Sequence, residues 1–395
     1  MRKPIFASFV MLALAATSCQ KPAEPENRNL SRAKATMAAI YANYGVEDSF
    51  LLRENYPFNE DYRAGYLASE EQARPNPYSY LWPFSGTLSA ANVILESDPS
   101  YRSVLDERVL PGLAEYLDTT RMPVAYSSYV RTAPASDRFY DDNVWLGIDF
   151  CDIYAATGDA KYLEEAQRIW KFIESGMDDV LGGGIYWCEQ KKHSKNTCSN
   201  APGTVYAMKL YATTGDERYL EQARSLYAWT KEKLLDTEDG LYFDNVNLAG
   251  AISRAKYAYN SGQMVQAGVL LYNATGDETY LKDAQRTAAA CHDRFFEPFT
   301  AVDGTSFRII CKGNVWFTAV MVRGLAELYA VDGNAACLND VQRSLDYAWE
   351  HARDERGLFE TDFTGVGKDS EKWLLTQAAM AEMYGRMSRI PLDGE

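Results

Sequence analysis

A turn recurs along this chain at a nearly constant interval, and that interval restricts the folds open to it. Four segments match one another: YAATGDAKYLEEAQ from Tyr154, YATTGDERYLEQAR from Tyr211, YNATGDETYLKDAQ from Tyr272 and YAVDGNAACLNDVQ from Tyr329. Their glycines, Gly158, Gly215, Gly276 and Gly333, stand 57, 61 and 57 residues apart. A looser copy, LESDPSYRSVLDE, lies one period earlier around Pro99. In each full copy an apolar run ends at a glycine suited to a left-handed helix C-cap. The residue after it, Asp159, Asp216, Asp277 or Asn334, suits the N-cap of a second helix. That second helix carries a one-sided apolar stripe: Tyr162, Ala166, Ile169, Trp170 and Ile173 in the first copy, and Tyr219, Ala223, Leu226, Tyr227 and Thr230 in the next. The run before the turn is apolar nearly all round, as in VWLGIDFCDIYAA from Val144 and VWFTAVMVRGLAELYA from Val315. Each unit therefore reads as a hairpin of a buried inner helix and a half-exposed outer one.

Counting the units sets the architecture. The chain opens with an outer helix over 31–43 and alternates through turns near 99, 158, 215, 276 and 333. It closes with an inner helix, KWLLTQAAMAEMYGRM, from Lys372. An open solenoid needs terminal helices with polar outer faces, and the sequence has none. Closure satisfies both ends, so the expected fold is all-α: an (α/α)6 toroid of six inner and six outer helices. The period also excludes tetratricopeptide arrays, whose repeat is about 34 residues. A second motif follows the outer helices, as GGIYWCE from Gly183, DGLYFDN from Asp239, RGLFETD from Arg356 and, more loosely, SFLLREN from Ser49. It reads as a turn and a short extended segment leading to the next inner helix.

The N-terminus reads as an address. Arg2 and Lys3 precede an apolar stretch from Ile5 to Ala16, and Ala16-Thr17-Ser18-Cys19 follows. This is the pattern of a lipoprotein signal peptide over 1–18, with Cys19 acylated after cleavage. The stretch is too short to span a bilayer. Residues 19–29 suit a polar tether, and 30–395 are expected to form one catalytic domain. The protein is thus expected to be exported and lipid-anchored, in the periplasm or on the outer membrane surface, as a monomer. Net charge is −15 without a basic cluster, so nucleic acid is not an expected partner. The other six cysteines, Cys151, Cys188, Cys198, Cys291, Cys311 and Cys337, are compatible with disulfides or buried thiols. Cys188, His193 and Cys198 lack a fourth zinc ligand, and no phosphate loop or dinucleotide fingerprint is present. No metal or cofactor is expected.

In such a ring the inner helices run the same way, so their N-termini share one rim. The sequence puts Tyr80-Leu81-Trp82, Tyr140-Asp141-Asp142-Asn143, Lys195-Asn196-Thr197-Cys198-Ser199-Asn200, Tyr259-Asn260-Ser261-Gly262-Gln263 and Lys312-Gly313-Asn314 there. Helix N-termini offer free N–H groups and a positive dipole end. Asp141 and Asp142 are the strongest chemical candidates, because glycoside hydrolysis uses two carboxyl groups flanking the sugar bond. Adjacent residues hold their side-chain bases roughly 5–6 Å apart, close to the ~5–5.5 Å of retaining enzymes. If Asp141 stays ionised at the helix N-terminus, its charge raises the pKa of Asp142, a split that suits nucleophile and acid. A helix cap beside a solvated acid is the competing reading.

At these residues the sequence resembles glycoside hydrolase family 76, the endo-α-1,6-mannanases. The marks are YDDNVWLG from Tyr140, GGGIYW from Gly182, KNTCSNAP from Lys195, YNSGQMVQAG from Tyr259 and RENYP from Arg53, spread over nearly the whole mature chain. The resemblance implies an (α/α)6 barrel and retaining hydrolysis of α-1,6-linked mannan, with Asp141 as nucleophile and Asp142 as acid/base. An α-mannan oligo- or polysaccharide is then the expected partner. Asn200, Asn260 and Gln263 are candidates to hydrogen-bond sugar hydroxyls, or to cap their own helices. Trp82, Tyr186 and Trp187 are candidates to stack on mannose, or to pack the core. Tyr140 and Asn143 complete the expected binding set. Two alternatives remain open from sequence: a non-catalytic glycan-binding lipoprotein, and a toroid hydrolase or transglycosylase acting on another glycan.

Overall fold

The computed structural model describes residues 27–68 and 76–392. The signal segment, Cys19 and most of the tether lie outside them. Among the described residues twelve helices alternate outer and inner. They are α1 (Arg28–Tyr44), α2 (Leu81–Ser97), α3 (99–114), α4 (Tyr140–Thr157), α5 (Ala160–Glu174), α6 (Thr197–Thr214), α7 (Glu217–Leu234), α8 (Ala258–Thr275), α9 (Glu278–Phe295), α10 (Val315–Asp332), α11 (Ala336–His351) and α12 (Leu374–Met387). Odd numbers are outer helices and even numbers inner ones. α1 starts at Arg28, inside the stretch assigned to the tether, because the Asn27 side chain accepts from the Asn29 and Leu30 amides. α3 is a composite of 3-10, α and π turns. Pro111 lacks the N–H that a regular helix needs there, and the wide turn just upstream absorbs the misfit.

The repeated turn has the expected physics. Gly158, Gly215, Gly276 and Gly333 all sit at φ between 68° and 71°. Each amide donates to a tyrosine carbonyl four residues back: Tyr154, Tyr211, Tyr272 and Tyr329. Asp159, Asp216 and Asp277 then accept from the amides of Lys161, Arg218 and Thr279, and Asn334 accepts from Ala336. The α5 stripe, Tyr162, Ala166, Ile169, Trp170 and Ile173, is buried throughout.

Each inner helix packs on the next, and α12 packs on α2, which closes the ring; α1 covers the seam by packing on α12. The closest inner pair is α8 and α10, where a Cβ on Gly324 would sit 2.1 Å from the Gly262 carbonyl oxygen. α10 is tied to α12 by a bidentate pair, Arg323 to Glu382, at 2.7 and 2.8 Å. Inner helix N-termini gather at one end of the ring and C-termini at the other, the floor. Asn27 lies at the floor, where its side chain donates to the Ser388 carbonyl just past α12.

Short strands decorate the rim. β1 (Asn55–Tyr56) pairs antiparallel with β9 (Lys372–Trp373), joining the two chain halves at the seam. The expected start of the last inner helix at Lys372 is therefore corrected to Leu374, since Lys372 and Trp373 are extended. β2 (Leu117–Asp118) pairs with β3 (Ala125–Tyr126). β4 (Ser194–Asn196), β5 (Phe243–Asn247) and β6 (Ile252–Lys256) form a three-stranded antiparallel sheet, and β7 (Phe296–Thr300) and β8 (Ser306–Ile310) a hairpin.

The second motif has a common anchor. Leu52, Ile185, Tyr242 and Phe359 each form a bridge to the end of the preceding outer helix, at Gly45, Met177, Leu235 and Arg353. The fourth residue of an inner helix then grips the backbone of the segment before it. Asn143 accepts from the Tyr126 amide and donates to its carbonyl, both at 2.9 Å. Asn200 does the same to Ile185 at 2.6 and 2.9 Å, and Gln377 to Phe359 at 2.7 and 2.9 Å. Ser261 accepts from the Tyr242 amide at 3.0 Å. A buried peptide left unpaired is costly, so these side chains fix how each segment meets the rim.

Candidate active site

Two rules place the side chains of the rim cleft, a cavity of about 400 Å³. The second residue of five inner helices faces it: Trp82, Asp141, Cys198, Tyr259 and Trp316. The second residue after a gripped position also faces it: Ser128 after Tyr126, Trp187 after Ile185 and Asp244 after Tyr242. Asp142 and Phe317 add third helix positions, and Trp145 lies one turn deeper.

Aromatic side chains build the walls. Trp145 meets Trp316 edge-to-face at 5.0 Å, and Trp82 meets Trp316 at 5.5 Å. Phe317 stacks on Tyr259 at 4.0 Å with 6° between planes, and Tyr257 extends that wall to the surface, 38% exposed. Opposite, Trp187 packs on Phe139 at 4.9 Å. Tyr66 closes a corner against Trp82 and Trp373, held by Glu54, which accepts from the Tyr66 hydroxyl at 2.6 Å, the Tyr80 amide at 2.8 Å and the Trp373 indole at 2.8 Å. Flat apolar faces with sparse polar groups suit the C–H faces and hydroxyls of sugar rings.

Asp141 and Asp142 open into this same cleft from the first turn of α4. Their surroundings differ. Oδ2 of Asp141 accepts from the Trp187 indole N–H at 3.1 Å and the Cys198 thiol at 3.4 Å. No side chain among the described residues donates to Asp142. Burial pushes both carboxyls above the usual range. Donors at Asp141 counteract that rise, whereas at Asp142 the charge of Asp141 adds to it. Of the pair, Asp141 is the one set to carry the charge and Asp142 the proton. Asp244 is a third carboxylate in the cleft, raised by burial and eased by a hydrogen bond from Asn245 at 2.8 Å.

Of the eight side chains expected to bind sugar, Trp82 and Trp187 line the cleft and the others do not. Asn143 and Asn200 are fully buried, with their amides engaged by the backbone. Tyr140 stacks on Phe172 at 4.6 Å beneath the rim. Tyr186 is buried, and its hydroxyl donates to Asp178 at 2.8 Å, beside Lys195, which ties down the glycine loop through the Val180 and Gly183 carbonyls. Asn260 sits behind Asp244, and Gln263 donates to Gln266 at 2.8 Å inside the wall. Sequence reasoning missed Asp244, Tyr257, Tyr259 and Phe317 as cleft residues. Aligning the gripped positions of GGIYWCE and DGLYFDN, so that Asp244 falls beside Trp187, is the signal that finds the first. The six described cysteines outside the signal region are free thiols. A second cavity, of about 590 Å³, opens at the floor. Its five cations, Arg102, Lys209, Arg323, Arg386 and Arg389, are each paired with a carboxylate, Asp159, Asp152, Glu382, Glu382 and Glu96 respectively.

Residues 69–383 match the family model described as Glycosyl hydrolase family 76. A family 76 mannosidase from Bacteroides thetaiotaomicron is 31% identical, with 91% of this chain and 98% of that one covered and a TM-score of 0.82. The mannan endo-1,6-alpha-mannosidase of Candida glabrata is 28% identical over 112 residues, 26% of this chain and 25% of the relative, so the chain spans about a quarter of that curated relative. An inactive variant of a Salegentibacter α-1,6-mannanase, with two consecutive aspartates changed to asparagine and α-1,6-mannotriose bound, shares the fold. It is 24% identical, with 91% of this chain and 99% of that one covered and a TM-score of 0.71.

Proposed function

From the premise that this chain belongs to glycoside hydrolase family 76, we propose that it hydrolyses α-1,6-mannosidic bonds in mannan backbones with retention of configuration. The observation that carries the reading is the pair of adjacent carboxyls sharing one aromatic cleft, one supplied with donors and the other without. Asp141, ionised at the positive end of α4, attacks the anomeric carbon. Asp142, kept protonated by burial and by its neighbour's charge, gives its proton to the departing glycosidic oxygen. A mannosyl ester on Asp141 results. Asp142, now a base, draws a proton from water, which attacks the ester and releases mannose with its original configuration. Trp82, Trp187 and the Tyr257–Phe317 wall suit the sugar faces, and Asp244 suits a hydroxyl donor. The relatives described as mannosidases, and the mannotriose bound by an aspartate-to-asparagine variant of the same fold, support this substrate.

Debranched α-1,6-mannan is the decisive substrate. Proton NMR of the first product should show the α-anomer before mutarotation; Asp141→Asn should abolish turnover, and Asp142→Asn should lower it by about 10²–10⁴-fold. Cleavage of β-linked or uronic glycans with α-1,6-mannan left intact would overturn the substrate.

The protein is further proposed to be an exported lipoprotein anchored through Cys19. No helix among the described residues is long and apolar enough to cross a membrane. A tether entering at Asn27 joins the floor, so the cleft would face away from the bilayer, toward polymer. Metabolic labelling with a radioactive fatty acid should mark the wild type and not Cys19→Ala.

A further inference from the structure

The two oxygens of Asp141 are not equivalent. Oδ2 takes both donors, the Trp187 indole and the Cys198 thiol. Oδ1 is buried and no side chain among the described residues donates to it, while the backbone amides of Asp141 and Asp142 also ease the charge of the carboxyl. We propose that Cys198 is a positioning residue of the reaction: together with Trp187 it clamps Oδ2 and so fixes the plane of the Asp141 carboxylate for attack. This rests on Asp141 being the nucleophile.

The geometry favours a thiol in this role. Cys198 is the second residue of α6, as Asp141 is of α4, and the two meet across the rim. The terminal torsion of an aspartate is soft, and one donor leaves the carboxylate free to pivot about that bond. Two donors on one oxygen fix the plane of the carboxylate. A strong donor would also withdraw charge from the attacking group. A thiol is a weak donor, so it orients the carboxylate while leaving most of its basicity. Burial and the charges of Asp141 and Asp244 push the Cys198 thiol well up, so it keeps its proton and stays a donor. Tyr259 lines the cleft near Cys198. Asp142, Cys188, Cys198, Asp244 and Tyr259 are the titratable groups around Asp141.

The test uses the full chain and three variants, Cys198→Ala, Cys198→Ser and Asp141→Asn. Cys198→Ala should lower kcat/KM on α-1,6-mannan oligosaccharides about fivefold, with KM nearly unchanged. Loss of a donor raises the pKa of Asp141, so the acid limb of kcat/KM should move to higher pH. Cys198→Ser, which restores a donor, should recover most of kcat/KM and bring the acid limb to or below its wild-type pH. Infrared spectroscopy supplies a readout independent of turnover. The S–H stretching band of Cys198, assigned by its loss in Cys198→Ala, should move to higher frequency in Asp141→Asn, where the charged acceptor is gone. A band unmoved by Asp141→Asn, or a wild-type acid limb in Cys198→Ala, would overturn the clamp. Absence of turnover by the wild type would instead overturn the mannan reading, and the S–H band would still decide whether the thiol holds Asp141.

Discussion

Replacing Asn200 with alanine separates a structural pin from a sugar contact. The side chain makes three hydrogen bonds, from the Ile185 amide at 2.6 Å and to the carbonyls of Ile185 at 2.9 Å and Asn196 at 2.8 Å. Asn200 and Ile185 are both fully buried, so water cannot replace the lost partner. An unsatisfied buried donor or acceptor costs about 1–3 kcal/mol. The stranded amide carries most of that, because each carbonyl keeps a second lone pair free for another donor. A total of about 3 kcal/mol follows, at the upper end of ordinary single-site effects. Urea unfolding should show that loss for Asn200→Ala. Asn200→Asp should do at least as badly, since an ionised oxygen would then face two carbonyls. Activity should fall mainly in kcat, because Ile185 sets the position of Trp187, two residues on, which donates to Asp141. An unfolding free energy within about 0.5 kcal/mol of wild type, together with a tenfold rise in KM for mannan, would refute the pin and return Asn200 to the substrate.

Further outcomes follow from the same structure. Asp142→Asn should lower kcat/KM on mannan by about 10²–10⁴-fold, yet leave kcat/KM nearly unchanged on an aryl mannoside whose leaving group needs no proton, while kcat there falls because water attack has lost its base; equal losses of kcat/KM on both would remove Asp142 as the acid. Glu54 is held by burial at about 7 against an ordinary 4.5. A carboxyl raised on folding contributes stability that is full below about 4.5 and lost as pH rises through about 7. The difference in unfolding free energy between wild type and Glu54→Gln should therefore move against the wild type by roughly 3 kcal/mol over that window, and a pH-independent difference would contradict it. Gly324→Ala would drive a methyl into the Gly262 carbonyl, backbone against backbone, and should cost about 3 kcal/mol or more in urea unfolding; wild-type stability would mean α8 and α10 are free to part.

The ring was legible because its determinants are local and repeated. A glycine with positive φ followed by an N-capping acid needs no tertiary context, and four copies give the count of hairpins. The place of the two adjacent acids was legible for the same reason: two acids in a first helical turn must lie near the rim. The failures share one cause. A polar residue near a helix N-terminus reads alike whether it points into the cleft or back toward the preceding loop. Each step along a helix turns the side chain by roughly 100°. Asp141 and Asp142 therefore face the cleft, while Asn143, one step further, reaches Tyr126 behind it. Asn200 fails identically. Tyr186 and Trp187 alternate along an extended segment, so that Tyr186 turns away and Trp187 turns in. Asp244 and Tyr257 lie at the paired β5–β6 segment of one unit and Phe317 in the next, so they meet only through strand pairing and the packing of α8 on α10, and no short stretch of sequence announces them.

The central claim is that two neighbouring acids divide the labour of bond cleavage at the mouth of the ring. Its most direct test is to trap the intermediate with a 2-fluoro-mannosyl donor bearing a good leaving group, and to map the labelled peptide by mass spectrometry. The mannosyl group should be found as an ester on Asp141. A label on Asp142 or Asp244, or no label together with an inverted first product, would contradict it.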